Sequence, residues 1–270
     1  MPRDLSDVIH YFVPELASDA EKESRSDREA QTKPRFGTEA APVLPVLALP
    51  IADADVLRAA FAWNLVVEVA RMGGQSVLVA PPQDSHSPLW PEAGKGPLGT
   101  EVLFAESGDL ASLHRTAVDA AVERAARAEE GGVVFVRVPP VWLRNAADAG
   151  NLLRWVLLFT SSEKQEMLET YGLAKLLQSA RIDSEIGITF HGMKELATAD
   201  DAFRKLAEVA SRRLGIALSS YGALLDDLEV YRAIVAHRPI GLSHPQSPAA
   251  QTLRDVATML LSRARHYQLA

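Results

Sequence analysis

Residues 131–140 read Gly-Gly-Val-Val-Phe-Val-Arg-Val-Pro-Pro, and this stretch decides the fold. Two glycines lead into the β-branched, apolar run Val133–Val138, and two prolines stop it. A run this short and this apolar suits a strand buried on both faces, which is the position of a central strand in a parallel sheet. Parallel neighbours need crossover connections, normally helices, so the flanking sequence should alternate strand and helix.

It does so in both directions. Upstream, Val43–Leu49 is a short apolar run, and a helix is expected from about Asp53 to Met72, ended by Gly73-Gly74. Ser76–Ala80 forms the next strand, halted by Pro81-Pro82, and residues 82–99 read as a loop rich in Pro and Gly. A strand at Glu101–Ala105 precedes a helix that starts at Gly108-Asp109 and runs to about Glu130. Downstream, Trp155–Thr160, Glu185–Phe190 and Ser219–Leu224 supply strands, with helices expected at 163–180, 198–214, 227–237 and 248–267. The fold class is therefore α/β, a doubly wound, mostly parallel sheet with helices on both faces.

Residues 1–41 are different in kind. Leu5, Val8, Ile9 and Phe12 fall at i, i+3, i+4, i+7, one apolar face on about two turns of helix. Pro14 ends that pattern, and Ala17–Arg35 is polar and charged with almost nothing that packs, the composition of a flexible linker. An apolar helix on a tether can present a docking peptide to a protein partner. It can equally fold back onto its own domain, and both readings stay open. A single domain of about 230 residues remains from 42 to 270.

Composition narrows the chemistry. The chain has no cysteine, which rules out disulfides and thiolate metal sites. Apolar runs such as Trp155–Phe159 fall far short of the roughly 20 residues of a membrane span, and no signal peptide is visible, so a cytoplasmic location is expected. A net charge of −7 gives no global attraction to DNA or anionic lipid. The strongest basic cluster, Arg204-Lys205 with Arg212-Arg213, is modest and lies among acids. The apolar positions Leu253, Val256, Leu260 and Leu261 suit the core face of the last helix better than a membrane-binding stripe. The histidines show no metal-ligand spacing, and no Gly-x-Ser-x-Gly elbow is present.

Three groups of residues resemble the MinD/ParA-type ATPases, nearest to the branch of MinD and the flagellar-number regulator FlhG. Near the C-terminus stand Gly222-Ala-Leu-Leu-Asp-Asp227, Val230-Tyr-Arg-Ala233, Arg238-Pro239 and Pro245-Gln-Ser-Pro-Ala-Ala250 before a closing helix, in that branch's order and spacing. Thr160-Ser-Ser-Glu163 with Tyr171 and Leu173-Ala-Lys-Leu-Leu177 resembles the family's "TTPEP" loop and following helix, and Asn64-Leu65 its first helix. The resemblance runs from about 43 to 267. It implies a P-loop-type fold and a role in placing polar, flagellar, pilus or division machinery.

The departures lie at the nucleotide site. The family's "KGGxGK[ST]" loop corresponds here to Asp53-Ala-Asp55-Val-Leu-Arg58-Ala59. No glycine remains to let backbone N–H groups approach phosphate, two aspartates oppose a polyanion, and Ala59 cannot hold Mg²⁺. The family's "DxD" is replaced at 80–82 by Ala-Pro-Pro, the Asp of "IDTP" by Arg137, and the adenine-contacting Asn by His191. Phosphoryl transfer is almost wholly positioning and electrostatics, and these residues supply neither. Asp53, Asp55, Arg58, Ala59, Arg137 and His191 are expected to line a vestigial site with no cofactor and no metal. Arg58 and Arg137 should be held there by Asp53, Asp55 or Asp84. A pseudo-ATPase that binds protein partners follows, with a homodimer left open. The alternative is an ATPase with an unconventional phosphate site built on Arg58 and Arg137.

Overall fold

The computed structural model describes residues 43–180 and 183–269. The expectations for Leu5, Val8, Ile9 and Phe12, and for the boundary after residue 41, lie outside the described residues. The strands are β1 (Val46–Pro50), β2 (Gln75–Ala80), β3 (Gly94–Lys95), β4 (Glu101–Phe104), β5 (Gly132–Val138), β6 (Trp155–Thr160), β7 (Glu185–Met193) and β8 (Leu218–Leu225). They form an 8-stranded sheet in the order β3-β4-β2-β5-β1-β6-β7-β8. Every pairing is parallel except β3 with β4. The run that opened the reading is central, between β2 and β1, and all of β5 is buried.

The helices are α1 (Val56–Arg71), α2 (Leu110–Ala125), α3 (Lys164–Ser179), α4 (Leu196–Leu214), α5 (Leu228–Val235), α6 (Ile240–Ser243) and α7 (Pro248–Leu269). The closing helix α7 packs on α1 and β8, and these share one apolar core with Leu47, Leu49, Val133 and Phe135. Side chains alternate along a strand, so Ala48, Val134 and Val136 face the other layer, where α2 covers β5 and β2. Fully burying one such Val, Leu or Phe contributes about 1.5–3 kcal/mol.

Asn64 explains why a polar residue sits inside α1. Its Nδ2 donates to the Ala60 carbonyl at 2.7 Å, and its Oδ1 accepts from the Ile240 N–H at 2.7 Å, which ties α6 to α1. One turn on, buried Glu68 accepts from Arg71 at 2.7 Å beneath Gly241, where an added Cβ would stand 1.6 Å from the carboxylate. Asp227 caps α5 through the Glu229 N–H at 3.0 Å.

Two stretches differ from the sequence reading. Residues 82–99 are not a bare loop: Pro82–His86 is a 3-10 turn, and Gly94–Lys95 pairs with β4 as an edge hairpin. Gly96 N–H donates to the Thr100 carbonyl at 2.7 Å, and a Cβ on Gly96 would meet Trp63 at 2.9 Å. Gly96 therefore serves close approach of this hairpin to α1, whereas Gly94 takes a positive φ of 112° with open space around it. Residues 140–149, left unassigned by pattern, form 3-10 turns packed on α2. The second helix also stops at Ala125 rather than near Glu130.

Candidate functional site

The C-terminal ends of β1, β2, β5 and β7 and the N-terminus of α1 carry Asp53, Asp55, Arg58, Arg137 and His191, five of the six residues named from sequence, into one region. In doubly wound sheets this is where ligands bind. Asp55 is the N-cap of α1, with Oδ1 accepting from the Arg58 N–H at 2.9 Å. The start of a helix offers unsatisfied N–H groups and a positive dipole end, the feature that holds phosphate in P-loop proteins. Here a side-chain carboxylate of the chain already takes that place.

Arg137 leaves β5 beside Leu49 of β1 and is 0% exposed. Its Nη2 is paired with Asp53, which follows β1, and its Nη1 lies 3.2 Å from Asp84 Oδ2 in the turn after Pro81-Pro82. Asp84 is 5% exposed, whereas Asp53 is 73% exposed, so one partner seals the guanidinium from within and the other from solvent. Burial pushes the Asp84 carboxyl up to about 6; Arg137 opposes the rise and Asp53 adds to it.

Arg58 belongs to a second group. It lies 3.2 Å from Asp55 and 2.8 Å from Glu166 in the first turn of α3. Glu166 Oε2 is also 3.1 Å from His191 Nε2. The buried His191 ring lies 5.8 Å from Phe61. Burial moves the His191 pKa down, with Glu166 opposing, so the ring is neutral at pH 7. Burial works to raise Glu166, but His191 and Arg58 outweigh it and its pKa falls. Ala59 is buried in the apolar core and touches neither group.

Glu166 joins Arg58 to His191, and sequence reasoning missed it. An acid in a first helical turn suits the helix dipole wherever it occurs, so nothing local marked this one. The Ser161 hydroxyl also helps lower the Glu166 pKa, so it acts on the carboxylate and not on the imidazole. A nucleophile–base–acid relay needs the imidazole in the middle, so this order does not activate Ser161. Among the described residues no group of three His, Cys, Asp or Glu side chains could hold a metal ion.

The sheet order, the crevice and the helical layers together define a MinD/ParA-type α/β fold. The chain is similar to MinD of Aquifex aeolicus in the MinC:MinD cell division protein complex, with a TM-score of 0.59, 14% identity, and coverage of 81% of this chain and 96% of that one. It is similar to the septum site-determining protein MinD of Pyrococcus horikoshii OT3 complexed with Mg-ADP, with a TM-score of 0.57, 12% identity, and coverage of 80% and 95%. Apo McdA of Cyanthece matches with a TM-score of 0.53, 10% identity, and coverage of 80% and 99%. No protein-family model matches the sequence, and no curated protein matches it. No described helix is long and apolar enough to cross a membrane.

Proposed function

We propose that this chain is a catalytically inactive relative of the MinD/ParA-type ATPases, which acts as a protein-interaction or positioning factor for polar, flagellar, pilus or division machinery. One observation carries the reading: both arginines of the crevice are neutralised by the chain's own carboxylates, and Asp55 sits on the helix N-terminus. A polyphosphate would have to displace Asp55, approach Asp53 and find no glycine backbone to cradle it. Without a nucleotide-driven switch the domain holds one shape and presents binding surfaces. The apolar stripe Leu5, Val8, Ile9 and Phe12 is then the docking element for a protein partner.

The alternative reading, ATP hydrolysis through Arg58 and Arg137, requires both guanidiniums to leave their carboxylates. Leaving Asp84 buried without Arg137 is costly, by roughly 3–5 kcal/mol for a broken buried pair. Calorimetry with ATP, ADP and GTP, each with and without Mg²⁺, separates the two. No saturable site tighter than about 100 μM, or −5.5 kcal/mol, is expected. Tighter saturable binding would refute the scaffold reading. Arg137→Asp alone should restore nothing, because the loop at 53–59 keeps its side chains.

A further inference from the structure

Outside the two crevice groups, the described residues form a large groove. It measures about 660 Å³ and lies between α1, the segment 88–97 and the α5–α6 turn. That volume is in the range that takes a small organic ligand. We infer that this groove is a binding site for a planar aromatic monoanion of the aromatic carboxylate class.

Three observations point there. First, much of the lining is aromatic and apolar: Trp63 of α1 and Trp90 line the groove with Leu89, Pro88 and Ile234. Val235 at the mouth is 80% exposed, an apolar surface that water does not favour. Aromatic and proline faces pack best on a flat ring.

Second, the rim carries cations without partners. Lys95 and Arg238 line the groove, and among the described residues neither forms an ion pair. Arg58 and Arg137 of the crevice are both paired, in a chain of net charge −7. His237 stands beside Arg238, and Glu92 is the acid on the same rim. Two cations against one acid suit a single negative group and not a polyphosphate, so a carboxylate fits where a nucleotide does not.

Third, one wall holds an unusual backbone and the other ends next to one. The non-glycine residues with positive φ among the described residues are Leu98, at 57°, and His237, at 51°. Leu98 follows Pro97 at the end of one wall, and His237 stands in the other. His237 occupies the left-handed position after α5, usually glycine, with its N–H on Ile234 and the Arg238 N–H on Ala233, each at 3.0 Å. Such conformations persist where surrounding structure enforces them, and they cluster at ligand clamps.

The dye anilinonaphthalene sulfonate, an aromatic monoanion, is the probe. Titrated into the full chain, it should bind saturably at one site, with energy transfer from tryptophan. The pair Lys95→Glu and Arg238→Glu should weaken binding by about tenfold or more, as loss of charge-assisted contacts does, while the melting temperature holds. The uncharged analogue phenylnaphthylamine should bind wild type about tenfold more weakly, by the same reasoning. Absence of saturable binding, equal affinity for the uncharged dye, or indifference to charge reversal would each overturn the inference. The comparison of dyes on wild type decides the matter even if the variant fails to fold. None of these outcomes bears on nucleotide binding, which the calorimetry above tests separately.

Discussion

Asp84→Asn tests the crevice most directly, because it removes one titrating proton and almost no volume. In the folded chain Asp84 is 5% exposed and its pKa is about 6, against 3.8 for the free side chain. The native state therefore holds this proton more tightly than the unfolded chain. Between pH 4 and pH 6 the native state binds more protons, so stability falls as pH rises through that window. Above about 6 the unfavourable contribution is fully present. Two pKa units correspond to about 3 kcal/mol, an order-of-magnitude figure. The assay is urea unfolding of wild type and Asp84→Asn in steps from pH 4 to pH 7.5. Other groups, His191 among them, titrate in both proteins and cancel in the difference. Stability of wild type minus variant should fall by about 3 kcal/mol from pH 4 to pH 7. Parallel curves would refute the burial argument. A difference that rises with pH would mean that Arg137 dominates the environment of Asp84, reversing the order of causes given above.

Other outcomes follow from the same contacts. Arg137→Met leaves Asp84 buried with Asp53 as its charged neighbour, and it should destabilise the domain by about 3–5 kcal/mol at pH 7 in urea unfolding. The loss should shrink below pH 5, where Asp84 is protonated; a loss that does not change with pH would count against the pairing. Ile9→Ala with Phe12→Ala should abolish partner binding in a pull-down and leave the melting temperature almost unchanged. A fall of several kcal/mol, as truncated core residues give, would instead assign that stripe to the domain's own core.

Much of the fold was legible because it depends on short periods. The continuous apolar run at 133–138 and the alternation of strand and helix around it need only local pattern, and they specify a parallel sheet covered on both faces. The identities at 53–59, 80–82 and 137 could be set against the resembled motifs for a similar reason: each is one residue at one position in the chain. The hairpin at Gly94–Lys95 was not legible. Two glycines beside a lysine look alike in a free loop and in a strand held against Trp63, and the difference is the neighbour.

The pairing within the crevice is the part that sequence leaves undecided. Sequence placed two arginines and three candidate aspartates near one another without saying which would meet. Arg137 reaches Asp53 across 84 residues of chain, and Arg58 reaches Glu166 across 108. Those meetings depend on strand order, with β5 beside β1, and on where α3 begins. Charge complementarity acts through space and carries no sequence period, so no local pattern marks a partner so far away. Glu166 shows the limit plainly: by sequence it is a favourable acid in a first helical turn, and the tertiary structure makes it the link between Arg58 and His191.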